Sequence, residues 1–159
     1  MTDTVSVMTH PAQLTKTRDV LNYVRGGHAV FTLVSRVTGV RFTYKTAAAK
    51  DKPSLSFVSL LNGSDNTADY RYIGCLFGCD TDKPVFRWTK KSKASKDAKS
   101  VQAIYYLVEV LTHPDCPEEL PEVIEFWHKG TCARCGRDLT DPQSIKVGLG
   151  PICRDKVQP

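Results

Sequence analysis

Two cysteines three residues apart, Cys132 and Cys135, followed at once by Gly136 and answered later by Cys153, constrain this chain more than any other feature. Thiolates at that spacing can point into one small hollow, and the glycine tolerates the backbone twist that turns peptide N–H groups toward the sulfurs. Cys153 follows Gly148, Gly150 and Pro151, as at the first turn of a short helix. A knuckle, a hairpin-like excursion and a helix-borne ligand together describe a small treble-clef-like zinc module. A structural zinc site takes four protein ligands. His128 is the expected fourth, giving H-x3-C-x2-C-x17-C. Cys116 is the competing donor, and an open position holding water or substrate is the third option. A thioredoxin-type C-x-x-C belongs at a helix start after a strand, and the third cysteine and the glycines argue against that. The expected cofactor is therefore one structural Zn2+ per chain.

The compartment follows from the same residues. No window approaches the roughly 18 apolar residues of a membrane span. The start, MTDTVSVMTHPAQ, has no basic segment leading into an apolar run. A reducing cytoplasm is expected, where six cysteines bind metal or sit buried rather than form a disulfide framework. Cys75 and Cys79 are separated by four positions, about 13 Å on a strand, and are read as small buried hydrophobes or a loop thiol.

Ahead of the module the chain reads as α+β. Pro11 to Arg25 has helical spacing at Leu14, Leu21 and Val24, with Gly26-Gly27 to end it. His28–Arg36 and Val40–Thr46 alternate in polarity around a turn at Thr38-Gly39. Thr46–Pro53 reads as a basic loop, Ser54–Leu61 as a buried strand, and Tyr70–Phe77 and Val85–Trp88 complete about five mostly antiparallel strands. A second, amphipathic helix carries Val101, Ile104, Tyr105, Val108 and Leu111, and His113-Pro114 stops it. The expected organisation is an α+β basic domain at 1–112, an acidic, proline-punctuated linker at 113–123, and the zinc module at 124–159.

Charge is divided unevenly along the chain. Residues 109–125 hold six acids and no Lys or Arg, so that elsewhere 22 basic residues face 11 acidic ones. A basic surface attracts polyanions, and an acidic segment repels them. The densest cations run from Lys83 through Arg87, Lys90, Lys91, Lys93 and Lys96 to Lys99, interleaved with Phe86 and Trp88. Lysine suits phosphate positioning more than base readout. A helix starting near Ser95 would add an anion-binding N-terminus. Arg36, Arg41, Lys45, Lys50, Lys52 and Arg71 extend this set if the sheet presents them together. Alternation places Arg41, Thr43 and Lys45 on one face and Phe42 and Tyr44 on the other. Arg134 and Arg137 stand beside the knuckle and serve either nucleic acid or the module's own fold.

CARCGRDLTDPQSIKVGLGPIC resembles the cysteine module of an uncharacterised phage and prophage family, in which C-x-x-C-G-R-x-L-T-x-P-x-S-I runs into G-[IL]-G-P-x-C. RFTYKTAAAKDKPSLSFVSLLNGSDNTADYRYIG and FRWTKKSKASKDAKS are similar to members of it too, so the likeness spans most of 28–156. It implies Cys132, Cys135, Cys153 and His128 as zinc ligands. It also implies a place in a phage replication module, in the host cytoplasm, and binding to double-stranded DNA without sequence preference. It supplies no base-contacting residues.

Catalysis is not expected. The histidines at 10, 28, 113 and 128 are scattered, and the dense acids of 109–125 lie in a proline-broken linker with no D-x-D-like metal pair. No G-x-x-x-x-G-K-[ST] loop is present, and His128 is followed by Lys-Gly rather than the x-E of zinc deaminases. The expectation is a non-catalytic, sequence-nonspecific DNA-binding protein. The competing expectation is a zinc-braced adaptor that engages a replication or transcription protein through the acidic 109–125 segment.

Overall fold

A computed structural model of the chain describes residues 13–61 and 70–128. Among them are seven strands and two helices. In chain order they are β1 (Gln13–Leu14), α1 (Thr17–Val24), β2 (Val30–Ser35), β3 (Arg41–Ala49), β4 (Lys52–Leu61), β5 (Tyr70–Phe77), β6 (Val85–Trp88), α2 (Lys99–Thr112) and β7 (Ile124–His128). The class is α+β with two helices and an antiparallel sheet, as the periodicities predict. The sheet has seven strands rather than about five, in the order β1-β7-β2-β3-β4-β5-β6.

The two additional strands have a physical explanation. β1 is two residues long, too short to show any period, and it takes the place of the first turns of the helix expected from Pro11. Its pairing of Gln13 with Trp127 and Leu14 with Phe126 delays α1 to Thr17. β7 adjoins the cysteine motif in sequence, yet it is hydrogen-bonded between β1 and β2, from Ile124 opposite Ser35 to His128 opposite Phe31. The stretch expected as a basic loop, 46–53, is instead the tip of a tight hairpin. β3 continues to Ala49 and β4 begins at Lys52, with an irregular register at Ala48/Ala49.

Both helices cover one face of the sheet. α2 buries Val101, Ile104, Leu107, Val108 and Leu111, one apolar stripe at helical spacing, and α1 buries Val20, Leu21, Tyr23 and Val24. From the sheet, Phe31, Leu33, Tyr44, Val58, Ile73, Leu76, Phe86 and Phe126 meet them in one core. Phe31 and Phe126 stack at 4.8 Å between ring centroids, and Tyr23 meets Phe126 edge-on at 5.7 Å. The buried Tyr44 hydroxyl donates to the Ser100 carbonyl at 2.6 Å and ties β3 to the first turn of α2. At Gly74 a Cβ would lie 2.5 Å from the Arg87 carbonyl, so only glycine lets β6 pair this closely.

The acidic segment after α2 is bonded to the start of the chain. The Thr17 hydroxyl donates to the Pro117 carbonyl at 2.6 Å, the Leu120 N–H to the Thr15 carbonyl at 2.8 Å, and Lys16 pairs with Glu118 at 3.8 Å. Neither described helix is long and apolar enough to cross a membrane.

Candidate nucleic-acid interface

The helices cover one side of the sheet, so alternation turns the other set of side chains outward. Arg41, Thr43 and Lys45 of β3 lie on this open face, and Tyr44 and Thr46 are buried beneath the helices. Arg87 opposes Cys75, which opposes Phe57, and all three fall in one row of the open face. A bulge in β5 decides what stands beside them. Val58 pairs with Gly74 but Ser59 pairs with Tyr72, so Ile73 is an extra residue, fully buried in the core. An extra residue shifts the alternation of everything beyond it. Tyr70 and Tyr72 therefore join Cys75 and Phe77 on the open face, and Arg71, opposite Leu60, falls on the helix side.

The result is an aromatic row edged with cations. Phe57 and Tyr72 meet edge-on at 6.3 Å, and the Lys45 ammonium sits 4.6 Å from the Tyr70 ring centroid. Phe57 and Phe77 are each 42% exposed, on the same side of the sheet as Tyr70 and Tyr72. Lys50 and Lys52 are exposed at the β3–β4 turn.

The lysine-rich segment is tied to the edge of the sheet beside this face. Beyond β6 the Tyr72 hydroxyl bonds the Thr89 hydroxyl at 2.9 Å, and the Lys93 N–H donates to the Tyr72 carbonyl at 2.8 Å. These contacts fix the stretch alongside the part of β5 that precedes its pairing with β6, with Lys90, Lys91, Lys93, Lys96 and Lys99 all exposed. Trp88 is not on the open face. It packs against the core on the helix side, and its indole N–H donates to the Ala94 carbonyl at 2.9 Å, bracing the lysine segment from below. α2 begins at Lys99 rather than near Ser95, with Ala98 as its N-cap. Lys83 is separate from the cluster: its ammonium donates to the Thr112 carbonyl at 3.0 Å, at the negative end of α2.

At the other end of the face the charge is balanced. Glu125 accepts from the Trp127 indole N–H at 2.9 Å and from the Arg36 guanidinium at 2.9 Å. Those two donors, with Arg41 as a weaker influence, hold its carboxyl below the usual carboxylate range. Between Trp127 and Tyr70 lies a depression of about 220 Å³, with Thr32, Thr43 and Leu61 along its floor. Phe57, Tyr70, Tyr72 and Trp127 are functional candidates that sequence reasoning missed. Alternation marks Tyr70 and Tyr72 as one face of a strand, but which face depends on the bulge.

His128 ends β7 on the helix-facing side, buried, its ring 5.4 Å from that of Tyr23. Cys132, Cys135, Cys153, Arg134 and Arg137 lie outside the described residues. Cys116, half-buried and close to its own Pro117 carbonyl, belongs to the segment bonded along Thr15–Thr17, at the opposite end of β7 from His128. The other two described cysteines are buried in different surroundings. Cys75 contacts the Tyr72 hydroxyl at 3.1 Å on the open-face side. Cys79 follows the positive φ of Gly78 into the core, where burial raises its thiol pKa.

Residues 126–158 match a family of unknown function (DUF6011). The match begins inside β7, so Phe126, Trp127 and His128 belong both to the sheet and to the matched segment. No curated protein and no solved structure matches the chain.

Proposed function

We propose that this is a non-catalytic DNA-binding protein that holds the phosphate backbone without sequence preference, with double-stranded DNA as its target. One observation carries the reading. The Lys93–Tyr72 backbone bond joins an exposed lysine run to the edge of a sheet whose open face bears Arg41, Lys45 and Arg87. Phosphate contacts of this kind supply affinity and carry no sequence information. The duplex preference, and the setting in a phage replication module, rest on the family resemblance of the cysteine motif.

In this reading one zinc ion, held by Cys132, Cys135, Cys153 and His128, folds the residues C-terminal to β7. His128, the last described residue of β7, supports the choice of fourth ligand, because Cys132 follows it by only four residues. The zinc would brace structure and perform no chemistry.

An adaptor function has an observation of its own in its favour. A groove of about 570 Å³ beside the acidic segment is lined by the exposed Tyr106, several prolines, Glu109 and Asp115, suited to an apolar and basic peptide. A gel shift with random-sequence duplex at low and moderate salt separates the two. Salt-sensitive, sequence-indifferent retention is expected for the binder, and no retention at low salt would favour the adaptor.

A further inference from the structure

We propose that the open sheet face binds unpaired bases, so that the protein prefers duplex DNA carrying a single-stranded stretch over blunt duplex. This deepens the DNA-binding reading and rests on it.

The physical ground is the kind of surface the sheet presents. Base pairs within a duplex offer their edges and phosphates, while their flat faces are covered by neighbouring pairs. An aromatic ring lying on a protein surface can stack only on a base that has left that arrangement. Four such rings, Trp127, Tyr70, Tyr72 and Phe57, share one side of one sheet. A purely phosphate-binding face would need only the cations.

The depression between Trp127 and Tyr70 has the features of a base seat. Its walls are aromatic, its volume is about 220 Å³, and its floor carries the Thr32 and Thr43 hydroxyls, 2.7 Å apart. In that pair either hydroxyl can donate to the other. The pair can therefore turn a donor or an acceptor toward whichever base edge arrives, which suits recognition indifferent to sequence. Lys45, above the Tyr70 ring, stands at the rim where a phosphate linking two bases would pass. From there Tyr72 leads to Phe57 and to the lysines after Thr89. Among the described residues of these open-face rows Glu125 is the one acid, and its carboxylate is already engaged by Trp127 and Arg36.

The two tryptophans allow a direct test on the full-length, zinc-loaded protein. In Trp88→Phe, Trp127 becomes the sole indole, and its emission is followed while a short oligo-dT strand, a blunt duplex, and the same duplex with an oligo-dT tail are titrated in. Stacking should quench Trp127 strongly with the single strand and the tailed duplex, and little with blunt duplex. Trp127→Ala should weaken binding of the single strand by about tenfold or more, as for loss of one stacked base, and leave blunt-duplex affinity within about twofold. Tyr70→Leu, at the opposite wall, should reproduce that split and serves if Trp127→Ala fails to fold. Equal quenching by all three ligands, or equal weakening on single strand and duplex, would overturn the proposal. So would a Trp127 shielded from acrylamide in the free protein, since the face would then be covered. Tight binding of blunt duplex without these effects removes the stacking site alone. Failure to bind any of the three removes the DNA-binding reading as well.

Discussion

Lys45 on β3 holds its ammonium 4.6 Å from the centre of the Tyr70 ring on β5, reaching across the whole of β4. A half-exposed cation–π contact is worth about 0.5–1 kcal/mol. Lys45→Ala should therefore lower unfolding free energy by about that amount in the Tyr70 protein and by less in Tyr70→Leu. A double-mutant cycle from urea unfolding curves measures the difference. A coupling near zero would mean that Lys45 is free for phosphate alone.

The lysine run should dominate the salt dependence of DNA binding. Each phosphate contact contributes about 0.9 to the slope of log K against log salt on duplex DNA. Replacing Lys90, Lys91 and Lys93 together by alanine should flatten that slope by about 2–3 when all three contact phosphate. All three side chains are exposed, so the unfolding midpoint should hardly change. Unaltered affinity and slope in an anisotropy titration would refute this placement.

Metal analysis of the purified protein should find one zinc per chain. Cys132→Ser and Cys135→Ser should each abolish zinc binding and, with it, folding of the segment C-terminal to β7, because ligand binding and folding are one process in such modules. His128→Ala should weaken zinc retention against a chelator, and Cys116→Ser should not. The reverse order of effects would make Cys116 the fourth ligand.

Burial raises the Tyr44 phenol well above its usual range, and it also raises Tyr70 and Tyr72. The folded protein thus keeps these protons where the unfolded chain, titrating near pH 10, gives them up. Their contribution to stability is complete below about pH 10 and is lost as pH rises above it. Urea midpoints should be flat near neutral pH and begin to fall above about pH 8, as the thiol of the unfolded Cys79 ionises. They should fall more steeply above about pH 10, as the tyrosines follow. Tyr44→Phe should cost about 1 kcal/mol at pH 8, through loss of the bond to Ser100, and should make the alkaline fall shallower.

Several parts of the fold were legible because their signals are local. The spacing of Val101, Ile104, Val108 and Leu111 locates α2, and the proline after His113 ends it within a residue of where the helix stops. Strict alternation over 41–45 separates Arg41, Thr43 and Lys45 from Phe42 and Tyr44, and the sheet keeps that separation. Trp88 was harder to place. It stands among cations in sequence, but the row that pairs it with Gly74 turns it toward the helices.

By itself the sequence determined which residues share a period, which segments are basic or acidic, and that three cysteines stand at metal-binding spacing. Tertiary structure decided which period faces out and which distant strands meet. One extra residue at Ile73 turns Tyr70 and Tyr72 to the side of Phe57. The insertion of β7 between β1 and β2 brings Trp127 into the row of Thr32 and Thr43, from almost a hundred residues away in the chain. Local periodicity fixes alternation within a strand. Inter-strand register is set by hydrogen bonds that close only when remote segments pack on a common core, so no short window of sequence contains it.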